Sequence, residues 1–196
     1  MKKILLLTLV LFFAVTSFAV AEDLAGKWGI NAEIMGLFPS DDDTDETLFY
    51  AGSLEYNFTS NLAGEVEIGY AQMDDELESL KFGEASFVPL MVNLKVRYPE
   101  GKFNPFIYGG LGVIFADYEE EQWVKDLGVS LDVGTGFAYQ IGAGVDIFIA
   151  DNTALYAKLG YLWSEVESEA SVTGYTTTAD IELDHFFVGG GIKIVF

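Results

Sequence analysis

The chain has 196 residues, a formal charge of −21, 51% hydrophobic and 15% aromatic residues, and no cysteine. The length suits one domain; the acidity excludes a nucleic-acid binder working through basic patches. With one histidine and no thiol there is little material for a zinc centre.

Met1-Lys2-Lys3, an apolar run from Ile4 to about Val15 and the small-x-small sequence Ala19-Val20-Ala21 have the layout of a secretory signal. The apolar run is shorter than a spanning helix requires. We therefore expect cleavage after Ala21, with residues 1–21 as leader and 22–196 as the mature domain. The leader takes Lys2 and Lys3 with it, so the mature chain is more acidic still. So much acid beside so much apolar surface requires the two to be segregated in space.

Eight runs of alternating residues follow. The first, about Lys27 to Leu37, sets Trp28, Ile30, Ala32 and Ile34 against Lys27, Gly29, Asn31 and Glu33. The second, Leu48 to Asn57, opposes Leu48, Tyr50, Leu54 and Tyr56 to Ser53, Glu55 and Asn57. In the third, Leu62 to Ala71, the polar face holds Glu65 and Glu67. The fourth, Val88 to Tyr98, alternates Val88, Leu90, Val92, Leu94, Val96 and Tyr98 with Asn93, Lys95 and Arg97. The fifth, Pro105 to Tyr118, is apolar on both faces, so alternation leaves its orientation open. The sixth, Phe137 to Ile149, places Gln140 and Asp146 on its polar face; the seventh, around Leu155 to Trp163, places Lys158 there. The last runs to the end of the chain, with Phe186, Val188, Ile192, Ile194 and Phe196 on one face and His185 and Lys193 on the other.

The links between these runs alternate in length. Residues 58–61, 100–102 and 150–152 are short and rich in Asn, Gly and Ser, whereas the stretches around 38–47, 72–86, 117–135 and 164–184 are long and polar. This pattern predicts an all-β fold: an eight-stranded antiparallel transmembrane β-barrel with short periplasmic turns and long acidic extracellular loops. A soluble barrel of the lipocalin type shares the alternation. The aromatic terminal residue, the Tyr and Trp near strand ends and the glycines beside charges on the polar face favour the membrane. The expected location is the outer membrane of a Gram-negative bacterium. The expected partners are its lipids and lipopolysaccharide, together with the barrel-assembly machinery, which would engage Phe186, Val188, Ile192, Ile194 and Phe196 of the terminal strand.

Turning the polar faces inward puts Lys27, Glu33, Glu55, Glu65, Glu67, Lys95, Arg97, Asp146, Lys158 and Lys193 in the lumen. Charges inside low-dielectric walls are costly unless paired, so a lumen charge network is expected. An eight-stranded interior is only wide enough for side chains to fill. The other acids cluster in the long links: Asp41, Asp42, Asp43, Asp45 and Glu46; Asp74, Asp75, Glu76 and Glu78; Glu119, Glu120 and Glu121; Glu165, Glu167 and Glu169. None has EF-hand spacing, and a solvated rim is the simpler reading beside loose divalent bridging to lipopolysaccharide. Gly109-Gly110-Leu111-Gly112 and Gly189-Gly190-Gly191 lie inside strands with no helix after them, so they do not form phosphate cradles. His185, next to Asp184 and across a strand seam from Ser164, is read as a rim histidine rather than a catalytic base. No motif asks for a cofactor or a metal, and no enzymatic activity is expected.

Phe87-Val88-Pro89-Leu90 leading to Lys95-Val96-Arg97-Tyr98, then Phe103-Asn104-Pro105-Phe106-Ile107-Tyr108-Gly109-Gly110-Leu111-Gly112, resembles a stretch of the OmpW family. Ile141-Gly142-Ala143-Gly144-Val145-Asp146 followed by Asp151-Asn152-Thr153-Ala154-Leu155-Tyr156 is similar to another, and Leu54 to Leu62 resembles the family's second hairpin. The grammar is shared with OmpA-like and OmpX-like small barrels. The OmpW resemblance implies a hydrophobic channel that admits small apolar molecules and releases them sideways into the outer leaflet. The residues offered for its lining are Leu111, Phe115, Phe148, Leu162 and Phe187. The loops are more acidic than such an entrance needs. The alternative is a structural or surface-interaction barrel whose acidic loops engage lipopolysaccharide, divalent ions or other cells.

Overall fold

The computed structural model describes residues 24–39, 46–77, 80–120, 129–172, 175–182 and 184–196. All its named elements are strands: β1 (Trp28–Pro39), β2 (Thr47–Asn57), β3 (Leu62–Leu77), β4 (Leu80–Arg97), β5 (Phe103–Glu120), β6 (Val129–Ala150), β7 (Thr153–Val172), β8 (Tyr175–Glu182) and β9 (His185–Val195). From β1 to β8 each strand pairs antiparallel with the next, and β9 pairs with both β7 and β1, which closes the sheet. β7 pairs with β8 from Glu165↔Glu182 and with β9 from Leu162↔His185, in one unbroken register. β8 and β9 are therefore two lengths of a single stave, and the molecule is a closed eight-stranded antiparallel barrel.

The seam is held to the end of the chain. Trp28 N donates to the Phe196 carbonyl at 3.0 Å and Phe196 N to the Trp28 carbonyl at 2.9 Å. Glycine makes the close approach of β9 to β1 possible: a Cβ on Gly191 would press into the Ala32 carbonyl oxygen and the Glu33 Cα, both backbone atoms that cannot step aside. At the short-turn end, Glu100 and Phe103 exchange backbone hydrogen bonds of 3.1 and 3.2 Å. Gly101 supplies the φ of +64° that such a two-residue hairpin needs at its first central position.

The strands outrun the lengths expected from alternation. β3 and β4 remain paired as far as Leu77↔Leu80, and β6 and β7 as far as Val129↔Val172. Much of 72–86, 117–135 and 164–184, read from sequence as loop, is thus strand. Asp74, Asp75 and Glu76 lie on β3, Glu119 and Glu120 on β5, and Glu165, Glu167 and Glu169 on β7. Polar residues conceal a strand that has left the apolar layer, because no buried face remains to impose a period on them. The 1–21 leader, Asp41, Asp42, Asp43, Asp45, Glu78 and Glu121 lie outside the described residues.

Burial follows the pleat. Ile30, Ile34, Leu54, Val66, Ile68, Val92, Leu94, Ile141, Leu159, Ile192 and Ile194 are exposed, whereas Glu33, Glu55, Glu65, Glu67, Lys95, Arg97, Asp146, Lys158 and Lys193 are buried. The molecule is inverted relative to a water-soluble protein, with its apolar side chains outside and its charged ones within. Aromatics concentrate towards the ends of the wall. Trp28 and Tyr56, with ring centroids 4.7 Å apart, mark the short-turn end, and Tyr139 and Trp163, stacked at 5.0 Å, mark the other.

Candidate functional site

The lumen has two storeys. The one nearer the short turns is ionic. Glu55, with no exposed surface, receives Lys95 Nζ at 2.7 Å, Arg97 Nη2 at 2.8 Å and Lys193 Nζ at 3.1 Å. Asp146 takes Lys193 Nζ at 2.7 Å and lies 3.2 Å from Arg97 Nε. Glu65 binds Lys95 at 3.0 Å and accepts from Asn31 at 3.0 Å, Ser53 at 3.1 Å and Asn93 at 3.2 Å. Asn57 Oδ1 accepts from Arg97 Nη1 at 2.7 Å. Three cations thus face three carboxylates, a balance that burial of charge requires.

A second, smaller group sits above. Lys158 Nζ donates to Glu33 at 2.8 Å and to Glu67 at 2.7 Å, and Tyr156 OH donates to Glu33 at 2.8 Å. Gln140 Nε2 donates to Asn93 Oδ1 at 2.8 Å and so extends the lower group through Glu65. All of these charged side chains are buried within the barrel. Just below them Leu24, Phe148, Ala154 and Val195 form a separate apolar seal at the short-turn mouth.

The upper storey is apolar. Met35, Leu37, Phe49, Phe87, Pro89, Met91, Leu162 and Phe187 wall a cup whose polar members are Glu67 and Gln140. Lys95 lies 4.8 Å from the Phe106 ring centroid, and Lys158 lies 5.6 Å from that of Tyr108 and 5.9 Å from that of Phe187. These cation–π contacts bond the cup's floor to the plug beneath it. The space left in the cup is about 20 Å³, little more than one water needs. Pro89 has no N–H to offer, and the β3–β4 ladder lapses between Ile68↔Leu90 and Ala71↔Phe87, where Pro89 would pair.

The sequence of residues 5–193 matches the family described as outer membrane protein beta-barrel domain. The chain belongs to that family. It is similar in structure to the outer membrane protein OprG of Pseudomonas aeruginosa, with 16% identity, a TM-score of 0.73, and 90% of this chain and 99% of that one covered. It is also similar to AlkL, solved in lipid bilayers (17% identity, TM-score 0.60, 88% and 90% covered), and to outer membrane protein W of E. coli (14%, 0.60, 88% and 98%). No curated protein sequence matches the chain. As an outer-membrane barrel of a Gram-negative bacterium, the protein meets lipid with the apolar side chains of its outer wall.

The ten residues assigned to the lumen from alternation divide in two. Glu33, Glu55, Glu65, Glu67, Lys95, Arg97, Asp146, Lys158 and Lys193 are brought together in the plug. Lys27 is half-buried at the short-turn mouth, where its carbonyl accepts from Asn57. The proposed apolar lining needs correction. Leu111 and Phe115 are 60% and 48% exposed and face lipid; the inward residues of β5 are Phe106, Tyr108 and Ile114. Phe148 points inward, but into the seal at the opposite mouth. Only Leu162 and Phe187 of that set line the cup. Of the terminal-strand residues, Phe186, Val188, Ile192, Ile194 and Phe196 all face outward.

Alternation placed Asn31 and Ser53 on the inward faces but did not single out Tyr156 or most of the cup. Their signal was their two-residue spacing from the lumen's polar side chains: Met35 and Leu37 follow Glu33 on β1, Phe87, Pro89 and Met91 precede Asn93 on β4, and Tyr156 precedes Lys158 on β7. His185 and Ser164 are buried at the upper end, with the His185 ring 5.9 Å from that of Phe87 and Ser164 N donating to Asp184 Oδ1 at 3.3 Å. The corrected orientation of β5 has a direct consequence. Leu111→Arg would set a cation against acyl chains near the middle of the wall, and we expect it to cost about 2–4 kcal/mol. Urea unfolding in lipid vesicles measures this; a change below about 0.5 kcal/mol would return Leu111 to the lumen.

Proposed function

We propose that the protein binds small hydrophobic molecules in the outer-facing half of its lumen and assists their passage across the outer membrane. The observation that carries this reading is the division of the lumen. An apolar cup facing outward stands on an ionic plug that leaves an apolar solute no favourable path straight through. The cup is closed around its small void, so a ligand enters only as side chains move. Met35 and Met91 are the unbranched, adaptable members of the wall suited to that movement. The hydrophobic channel that the OmpW resemblance implies agrees with this arrangement.

The same reading takes residues 1–21 as a cleaved leader and Phe186, Val188, Ile192, Ile194 and Phe196 as the strand presented to the assembly machinery. It also takes lipopolysaccharide as the lipid neighbour of the acidic rim. The plug network serves as a structural seal and carries no catalytic role.

The test is uptake of a panel of apolar and polar solutes by cells that have the protein, lack it, or carry Met91→Trp. Filling the cup with an indole is expected to lower apolar uptake about tenfold, the effect of removing about 1.4 kcal/mol of binding, and to leave polar uptake unchanged. Equal apolar uptake in all three strains would favour the structural or surface-interaction barrel instead.

A further inference from the structure

A second cavity lies outside the barrel and away from the cup. It is a cleft of about 230 Å³ on the outer wall, lined by Phe137, Tyr139, Trp163, Ser164, Glu165 and Asp184. An irregularity of the sheet adjoins it: the β6–β7 register shifts between Val133 and Gly136, next to Phe137. Ser164 N donates to the Asp184 carboxylate at 3.3 Å, which ties that acid to β7 at the cleft. A bulge bends its strand locally, and the aromatic side chains wall the hollow beside it.

The lining is chemically unusual for a lipid-facing wall. Three aromatic rings meet two carboxylates at the level of the upper aromatic belt, where acyl chains give way to head groups. Lys95, Arg97, Lys158 and Lys193 are held in the plug and Lys27 and Lys102 lie at the opposite mouth, remote from both carboxylates, while Lys81 stands on β4 opposite Glu76 of β3. Carboxylates attract an ammonium group, and aromatic faces attract the same group through their quadrupoles. Below the cleft the wall continues as Ile141, Leu159 and Val188, all exposed and apolar, which offers a track for a chain attached to that group.

We propose that this cleft is a binding site for a cationic amphiphile, with its ammonium head between Glu165, Asp184 and the Trp163 ring and its alkyl chain along the outer wall. The occupant approaches from the bilayer, so the site is independent of the cup and of whatever passes through it.

The test uses the full-length barrel carrying Trp28→Phe and Trp123→Phe, so that Trp163 is the sole tryptophan, in micelles of uncharged dodecyl maltoside. Chain-brominated dodecyltrimethylammonium is the probe, because bromine quenches an indole it touches. Saturable quenching is expected at about tenfold lower concentration than with the same chain on a sulfate head, equivalent to about 1.4 kcal/mol of charge-dependent binding. Glu165→Gln with Asp184→Asn should abolish that preference, and Glu165→Gln alone should reduce it should the double variant fold poorly. Asp117→Asn, an exposed acid elsewhere on the rim, should leave it intact. The proposal is overturned by equal quenching with both head groups, by a preference that survives the double substitution, or by an equal loss in Asp117→Asn. Displacement by tetramethylammonium at the same concentration would overturn the amphiphile assignment, since a free ammonium ion would then suffice.

Discussion

Glu55→Gln is expected to destabilise the barrel by about 3–5 kcal/mol, the usual cost of removing one partner from a buried ion pair. Glu55 has no exposed surface and receives Lys95, Arg97 and Lys193 within 3.1 Å. The substitution keeps the side chain's volume and one acceptor oxygen, so packing is preserved and the loss is electrostatic. Three cations then face only Glu65 and Asp146, leaving one positive charge uncompensated inside the wall. Urea unfolding in lipid vesicles, followed by tryptophan fluorescence and by the gel mobility of the folded barrel, measures the shift. A loss under about 1 kcal/mol would mean that the lower lumen is hydrated and its charges are screened, and the sealed plug would have to be abandoned.

The second expectation concerns current. In a planar bilayer the parent protein should carry no steady conductance, because ion pairs, amides and the Phe148 seal occupy the lumen. Glu55→Ala together with Arg97→Ala removes a matched pair: Lys95 and Lys193 still face Glu65 and Asp146, so the charge balance survives. The deletion opens a water-filled defect where two of the largest fully buried side chains had stood. A steady current is expected in this variant and not in the parent. The matched deletion separates blockage from stability, which the single Glu55 substitution cannot do. Current through the parent would show that the plug parts in the membrane, and the sideways or cup-limited routes would lose their rationale.

Much of this was legible in the chain. Where one face of a strand is apolar and the other polar, as in Val88 to Tyr98 or Phe186 to Phe196, a period of two assigns every side chain to lipid or lumen, and nine buried charges follow from that rule alone. The cup was less visible because its residues are apolar on the inward face as well. β5 shows the limit most clearly. With Ile107, Leu111 and Phe115 alternating against Phe106, Tyr108 and Ile114, hydropathy cannot choose between the faces, and Leu111 and Phe115 were placed inside.

The sequence by itself determined the class of the protein, its location and the identity of the charges that must be enclosed, because a strand in a bilayer obeys a strict two-sided rule. Tertiary structure alone decided which acid meets which base, how far the strands run beyond the apolar layer and which face of β5 lines the lumen. Pairing across the lumen joins residues as distant as Glu55 and Lys193, and that register is set by hydrogen bonds between staves. No pattern within a single stave records it.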